Sequence, residues 1–220
     1  MQTFGRYQSR LMIKALMLVF DCVNTWNKVI QTQRSIMAVM LTFLLPLLLL
    51  SSAVEGYGLT KWGESRGSGN VVWVKTFAVR EAVAYEAAQL VLSVLIVFVG
   101  AWMIKALGET FHGRHTITQT FTVVAYGLSP MFALRVIDAF RITPWAGWAV
   151  GILLSAAVLY HGVPLVMKPD PPQAFGLYLM SALLLIIACA LARLVTAWYL
   201  QGKFTPVSET VSQWTLWFSS

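Results

Sequence analysis

The sequence predicts an all-α membrane protein, a polytopic bundle of five transmembrane helices preceded by an amphipathic helix. The first observation is five long stretches without a charged side chain, between Arg34 and Glu55, Glu86 and Lys105, Arg114 and Arg135, Arg141 and Lys168, and Asp170 and Arg193. A membrane-spanning helix needs about 20 mostly apolar residues. The second is composition: 58% of residues are hydrophobic and 11% charged, whereas soluble domains carry about 25% charged residues.

The third observation is the lack of the alternating pattern of a membrane β-barrel. Hydrocarbon offers no water to satisfy backbone groups, so apolar segments that cross it must be helical. The predicted helices lie near residues 35–55, 84–105, 117–138, 144–166 and 174–200. The chain is thereby divided into a cytoplasmic interfacial segment, a five-helix membrane domain and a short extracytoplasmic tail, residues 1–34, 35–200 and 201–220.

The segment before the first predicted helix is interpreted as an interfacial helix. Its apolar run at residues 15–20 is too short for a signal peptide and no cleavage site of small residues follows. Apolar side chains recur at helical spacing from Tyr7 to Trp26, with basic residues between them. Five basic residues precede residue 35, which favours a cytoplasmic N-terminus and, with five spans, an external C-terminus.

The longest predicted loop runs from residue 56 to residue 84. Its first part is polar and rich in turn residues, and residues 70–79 favour an extended or interfacial segment. A connector lying on the membrane is preferred to a binding loop.

The net charge of +7 does not indicate a nucleic-acid partner, because the 16 basic residues are spread along the chain without a basic stripe. They orient helices and meet anionic headgroups, which makes the lipid bilayer the expected partner. The two cysteines, Cys22 and Cys189, lie far apart in apolar surroundings and predict neither a disulfide nor a metal pair. No cofactor is expected.

Two predicted helices contain a proline that should kink them. Pro46 interrupts the first helix, and the run containing Tyr126, Gly127 and Pro130 interrupts the third. On the fourth helix Gly147, Gly151 and Ser155 follow one another at four-residue spacing and predict a tight helix contact. Whether this stripe meets another helix of the bundle or a second copy of the chain in a homo-oligomer stays open.

Four charged residues are predicted to form a polar cluster in the outer half of the bundle: Glu86, Arg135, Asp138 and Arg193. A charge inside a membrane is costly unless it pairs or reaches the interface. Structural pairing is the preferred reading, with snorkelling and a substrate or headgroup site as alternatives. Arg193 in particular is predicted to point into the bundle, with Glu86, Asp138 or carbonyls freed near Pro130 as partners.

Catalytic patterns are not found in the sequence. His112 and His115 have the spacing of a ligand pair, with Glu109 one turn earlier, but no third ligand is evident and a solvated loop is the simpler reading. No nucleophile with an adjacent base and no nucleotide loop are present. We therefore expect no enzyme and no metal site.

Residues 113–121 (GRHTITQTF), the following 124–130 (VAYGLSP) and the later 159–163 (LYHGV) resemble the Yip1 domain family, above all its bacterial members, over about residues 20–200. The resemblance implies a small scaffold or adaptor of the bacterial inner membrane that has no catalytic site and acts on an unknown membrane-protein partner. Eukaryotic members bind Rab GTPases and carry an Asp-Leu-Tyr-Gly-Pro motif. That motif is absent here, so no GTPase partner is implied.

A second hypothesis is a small transporter or permease subunit whose path is lined by the kinked first and third helices. A transporter needs a continuous polar cavity that reaches the middle of the bilayer, and a scaffold does not.

Overall fold

The computed structural model describes residues 22–32, 34–68, 71–111, 115–139 and 146–200. Five of its helices are long and apolar enough to cross a membrane, and they are called the first to fifth spans: Ile36–Lys61, Val79–Thr110, Ile117–Ile137, Ala146–Met167 and Ala174–Leu200. The predicted all-α membrane bundle is therefore confirmed. The first, third and fifth spans begin at one face of the bundle, and the second and fourth spans end at that same face. We call this the N-terminal face, and the other the opposite face.

The helix Cys22–Thr32 precedes the first span and packs against the fourth span through one face, while side chains such as Lys28 stay exposed. Trp26 is fully buried, and its indole Nε1 donates a hydrogen bond of 3.3 Å to the carbonyl of Val158 in the fourth span. A Cβ on Gly162 would come within 2.3 Å of this ring, so glycine makes room for it. The predicted interfacial helix is thus anchored by one large side chain, while residues 1–21 lie outside the described part.

The first span contains a π-helical turn, Met40–Leu44, between the α-helices Ile36–Val39 and Leu45–Lys61. Pro46 is the second residue after this turn and cannot donate to the carbonyl four residues earlier. The N–H of Leu45 reaches the carbonyl of Met40, five residues back, which is the π pattern. The interruption predicted at Pro46 takes this form.

The prediction of a loop over residues 56–84 was wrong in extent. The first span continues to Lys61, and the second span begins at Val79 and continues to Thr110. The sequence predicts that the second span begins near residue 84 and ends near residue 105. The predicted boundaries followed the first charged side chains, whereas these helices carry charged residues in their final turns and, at Glu55, inside the bundle.

The shorter connection forms a hairpin of two antiparallel strands, β1 (Glu64–Ser68) and β2 (Val71–Lys75), with Glu64 opposite Lys75. Gly63 has a φ of +68°, and a Cβ there would lie 2.5 Å from the Lys75 carbonyl oxygen. Beyond the hairpin Phe77 is buried with Leu59, Ala82, Tyr85 and Leu200. The apolar cluster ties the connection to the opposite face.

The third span is the most buried of the five and is broken into Ile117–Gly127 and Ser129–Asp138. Thr116 and Gln119 form a capping box at its start, because each side chain bonds the other's backbone N–H. Several of the largest buried side chains belong to this span or to its neighbours, among them Phe43, Phe121, Phe132 and Leu159. It is the central element against which the other spans pack.

Candidate functional site

A buried cluster of three charged residues lies toward the opposite face. Arg135 of the third span donates from Nε and Nη2 to Oε2 of Glu55 at 2.9 and 2.6 Å. The same Nη2 reaches Oε2 of Glu86 at 3.3 Å. Only 5% of Glu55 and 7% of Glu86 is exposed. One guanidinium thus joins a carboxylate from the first span to a carboxylate from the second.

Small residues allow the three spans to approach closely enough for these contacts. A Cβ on Gly56 would lie 3.1 Å from Cγ of Glu86. A Cβ on Gly58 would lie 2.6 Å from the carbonyl oxygen of Ala139, just after the third span. Larger side chains at either glycine would separate the backbones that carry the charged groups.

The cluster is a structural unit whose members depend on one another. Burying an unpaired ion costs several kcal/mol, and a partner with good hydrogen bonds offsets that cost. Arg135 Nη1 and Glu86 Oε1 are buried without a hydrogen-bond partner among the described residues. With such a partly satisfied network, the loss of Arg135 leaves two carboxylates exposed to apolar surroundings.

The structure brings together Glu86 and Arg135 from the predicted polar group and adds Glu55. Asp138 ends the third-span helix, and its side chain is outside the described part. Arg193 of the fifth span is half-buried, with a buried Nε, and lies within electrostatic range of Tyr85. The pairing of Arg193 with Glu86 or Asp138 stays a prediction.

The break in the third span is held by the fourth span. Pro130 provides no N–H, and the backbone N–H of the next residue, Met131, donates 3.3 Å to the buried Oγ of Ser155. A Cβ on Gly151 would lie 2.9 Å from Cα of Met131, and one on Gly127 would lie 2.4 Å from a methyl group of Leu159. The stripe of small residues therefore faces the third span of the same chain at Gly151 and Ser155, and Gly147 is buried as well.

Tyr126, the residue before Gly127, has a fixed ring. It stacks on Phe43 at a centroid distance of 4.2 Å and meets Trp26 edge to face at 6.1 Å. The first span, the third span and the N-terminal helix are joined by these three aromatic rings.

An apolar groove of about 720 Å³ runs between the second and fifth spans on the outside of the bundle. Alanines give it a smooth wall, and the exposed Val91 and Leu95 continue it along the second span. Its polar members lie near the opposite face: Gln89 donates from Nε2 to the Tyr85 hydroxyl at 2.7 Å. The Tyr85 ring lies parallel to that of Tyr199 at 5.9 Å.

Of the two histidines that have the spacing of a ligand pair, His115 lies in the described part of the chain. His115 is buried against Gly108, where a Cβ would lie 2.3 Å from its Cδ2, and this burial lowers the pKa of its imidazole. His112 lies outside the described part. No group of three or more His, Cys, Asp or Glu among the described residues is placed to hold a metal ion. Cys189 is a buried free thiol, and the side chain of Cys22 is not described.

The family model of the Yip1 domain matches residues 17–193, which cover most of the chain. No curated protein and no solved structure matches this chain. The match includes the five spans almost to the end of the fifth, the broken third span and the helix that carries Trp26.

Proposed function

Because the chain belongs to the Yip1 domain family, we propose that it is a membrane adaptor without catalytic activity that holds a transmembrane helix of a partner protein. The apolar groove between the second and fifth spans carries this proposal. It is open to the hydrocarbon region, and small side chains along it permit close approach of another helix backbone. Gln89 supplies a polar group of the kind that strengthens helix association in lipid.

The interior of the bundle supports an adaptor over a catalyst. The buried carboxylates among the described residues of the spans are Glu55 and Glu86, and both are engaged by Arg135. Large aromatic and aliphatic side chains fill the space around the third span. The surface groove thus offers more room to a partner than the centre of the bundle offers to a reacting molecule.

The small-transporter hypothesis has one observation in its favour. A cavity of about 320 Å³ is lined by residues of the first and third spans, including Val39, Thr122 and Tyr126. Phe43 stacks on Tyr126 at its inner end, which supports binding in a blind cavity over passage. Flux of a phosphate-bearing solute into proteoliposomes that hold the purified protein would favour transport over adaptation.

Photo-crosslinking from inside the groove tests the adaptor proposal. A photoreactive phenylalanine analogue is placed at Ala88, which is exposed within the groove. The matched control is Leu153 on the fourth span, which is 70% exposed and does not line the groove. We expect a discrete protein adduct from Ala88 and lipid adducts from Leu153.

A second change makes this test specific. Ala84→Leu should fill the groove and abolish the Ala88 adduct while the bundle keeps its unfolding temperature. Mass spectrometry of the adduct separates a different protein from a second copy of the chain, and the latter result would replace adaptation by self-association. Lipid adducts alone at both positions would contradict a helix-docking role.

We also propose that the protein resides in a bacterial inner membrane with a cytoplasmic N-terminus. Five basic residues before the first span and the odd number of spans support this orientation. Reporter fusions at the two ends should report opposite sides. A cytoplasmic signal from both ends would refute the orientation.

A further inference from the structure

The cavity at the N-terminal face is lined by one positively charged side chain and by no negatively charged one. It measures about 320 Å³ and lies between the N-terminal helix, the first span, the third span and the end of the fourth. Ligand pockets commonly occupy roughly 300 to 1,000 Å³, so it has the size of a small binding site. Among the residues that line it, Arg34 is charged and none is acidic.

Arg34 is a cation without a carboxylate partner among the described residues. Its Nη1 donates 3.3 Å to Oγ1 of Thr42, a neutral oxygen that itself donates to the carbonyl of Ala38 at 2.6 Å. The remaining guanidinium donors have no described acceptor. A guanidinium presents its donors in a planar fork that matches two oxygens of a phosphate.

Two further side chains present donors to the same cavity. The side-chain oxygen of Gln119 accepts from the backbone N–H of Thr116 at 3.0 Å, which leaves its Nε2 group to donate. Tyr126 lines the inner end of the cavity, and contacts of its ring leave only 6% of the residue exposed. Its hydroxyl makes no hydrogen bond with another described residue.

Two of the threonine hydroxyls at the cavity donate to backbone carbonyls nearby. Thr122 donates to the carbonyl of Thr118 at 2.7 Å, and Thr32 donates to carbonyls of its own helix. The O–H groups of Thr122 and Thr32 are therefore already engaged with backbone carbonyls. The donors left for a ligand include those of Arg34, Gln119 and Tyr126, and the start of the third-span helix adds a favourable dipole for an anion.

We propose that this cavity binds a phosphate group carried by a small substituent, with the phosphate oxygens between Arg34 and Gln119 and one oxygen or the substituent at Tyr126. Apolar side chains of the N-terminal helix, the first span and the fourth span form the other walls: Val29, Ile30, Val39 and Val166. The site is located where spans begin and end, so the phosphate can come from a phospholipid headgroup or from solution. The inference goes beyond the adaptor role and does not depend on it.

Binding is measured with the full chain in nanodiscs of zwitterionic lipid. One arm adds phosphatidylglycerol to the disc and counts retained lipids by native mass spectrometry. The other arm titrates inorganic phosphate in buffer and follows the unfolding temperature. Saturable binding in either arm that depends on the cavity residues supports the site, and the arm that responds identifies the source of the phosphate.

Three variants decide whether the cavity is responsible. Arg34→Gln should weaken binding about tenfold or more, as expected for hydrogen bonds to a charged group. Tyr126→Phe removes one oxygen and keeps the ring, so it should weaken binding by about threefold with the fold intact. Lys28→Gln removes an exposed positive charge of the N-terminal helix Cys22–Thr32 that does not line the cavity, and it should leave the affinity unchanged.

Saturable binding absent from both arms would overturn the proposal. So would equal weakening by Arg34→Gln and Lys28→Gln, because this would show nonspecific attraction of anionic lipid to positive charge. If Arg34→Gln does not fold, Tyr126→Phe still decides: an unchanged affinity in that variant removes the hydroxyl from the site and contradicts the proposed geometry.

Discussion

The two ends of the bundle treat an arginine in opposite ways. Toward the opposite face, Arg135 is buried between Glu55 and Glu86, and both carboxylates lie within 3.3 Å of it. At the N-terminal face, Arg34 is exposed to a cavity and touches the neutral hydroxyl of Thr42. The guanidinium of Arg135 pairs with carboxylates of the protein itself, whereas that of Arg34 keeps N–H donors for a ligand.

The contrast shows that the type of a residue in a membrane protein does not determine its role. A buried ion pair gives little net stability relative to apolar packing, yet removal of one partner is strongly destabilising. An exposed cation contributes little to folding and remains available for binding. Stability and ligand affinity should therefore respond to the two arginines in opposite order.

The largest effect should come from Arg135→Leu. This change leaves Glu55 and Glu86 buried without their cation and should cost about 3 to 5 kcal/mol of unfolding free energy. Denaturant unfolding in detergent measures it. A triple variant in which all three residues become leucine should recover most of the loss. If the triple variant is no more stable than Arg135→Leu, the cost arises from packing and not from the charges.

Gly151→Leu should be the next most severe change. The new side chain would overlap the backbone of Met131, 2.9 Å from where its Cβ must lie, and overpacking costs about 1 to 3 kcal/mol. Because this contact fixes the third span that carries Arg135, the thermal midpoint should fall. Leu153→Phe, at an exposed position of the same span, is the control and should change little. Equal midpoints for both variants would mean that the stripe does not set the packing.

A smaller loss is expected from Ser155→Ala. The buried N–H of Met131 would lose its acceptor, at a cost of about 1 to 2 kcal/mol. Ser181→Ala is a matched control, because Ser181 is equally buried but its Oγ has no hydrogen-bond partner among the described residues. We expect that control to be neutral or slightly stabilising. A loss of similar size in both variants would contradict the capping role of Ser155.

The smallest effect on stability should come from Arg34→Gln. The side chain is exposed and bonds a neutral hydroxyl, so its removal should cost less than about 1 kcal/mol. The same unfolding assay in zwitterionic detergent without phosphate checks this, since a bound anion would add its own stabilisation. A loss as large as that of Arg135→Leu would remove the distinction between the two ends.

Much of the fold is predictable from the sequence, because long charge-free stretches specify membrane helices and their number. The broken third span and the close contact at Gly151 also follow from local rules for proline and for small residues. The first span shows the limit. The charge-free stretch predicts a helix boundary at Glu55, whereas the helix continues for six residues past it and Arg135 pairs with the carboxylate.

The candidate sites were harder to foresee than the helices. Glu86 and Arg135 were grouped from their depth in the membrane, but their contact with Glu55 depends on the close approach of spans at Gly56 and Gly58. The cavity at Arg34 depends on how Trp26 anchors the N-terminal helix. An apolar helical pattern that continues past Glu55 indicates a charged residue inside the helix. No local sequence pattern indicates that Trp26 packs against the fourth span.

Chemical modification of arginines tests the contrast most directly. The full chain in zwitterionic nanodiscs is treated with phenylglyoxal, with and without the phosphate source identified by binding, and each arginine is followed by peptide mass mapping. We expect that Arg34 reacts and is protected by the anion, that Arg135 stays unmodified until the protein unfolds, and that exposed Arg80 reacts without protection. Equal reaction of Arg34 and Arg135, or protection of Arg80 to the same degree as Arg34, would contradict it.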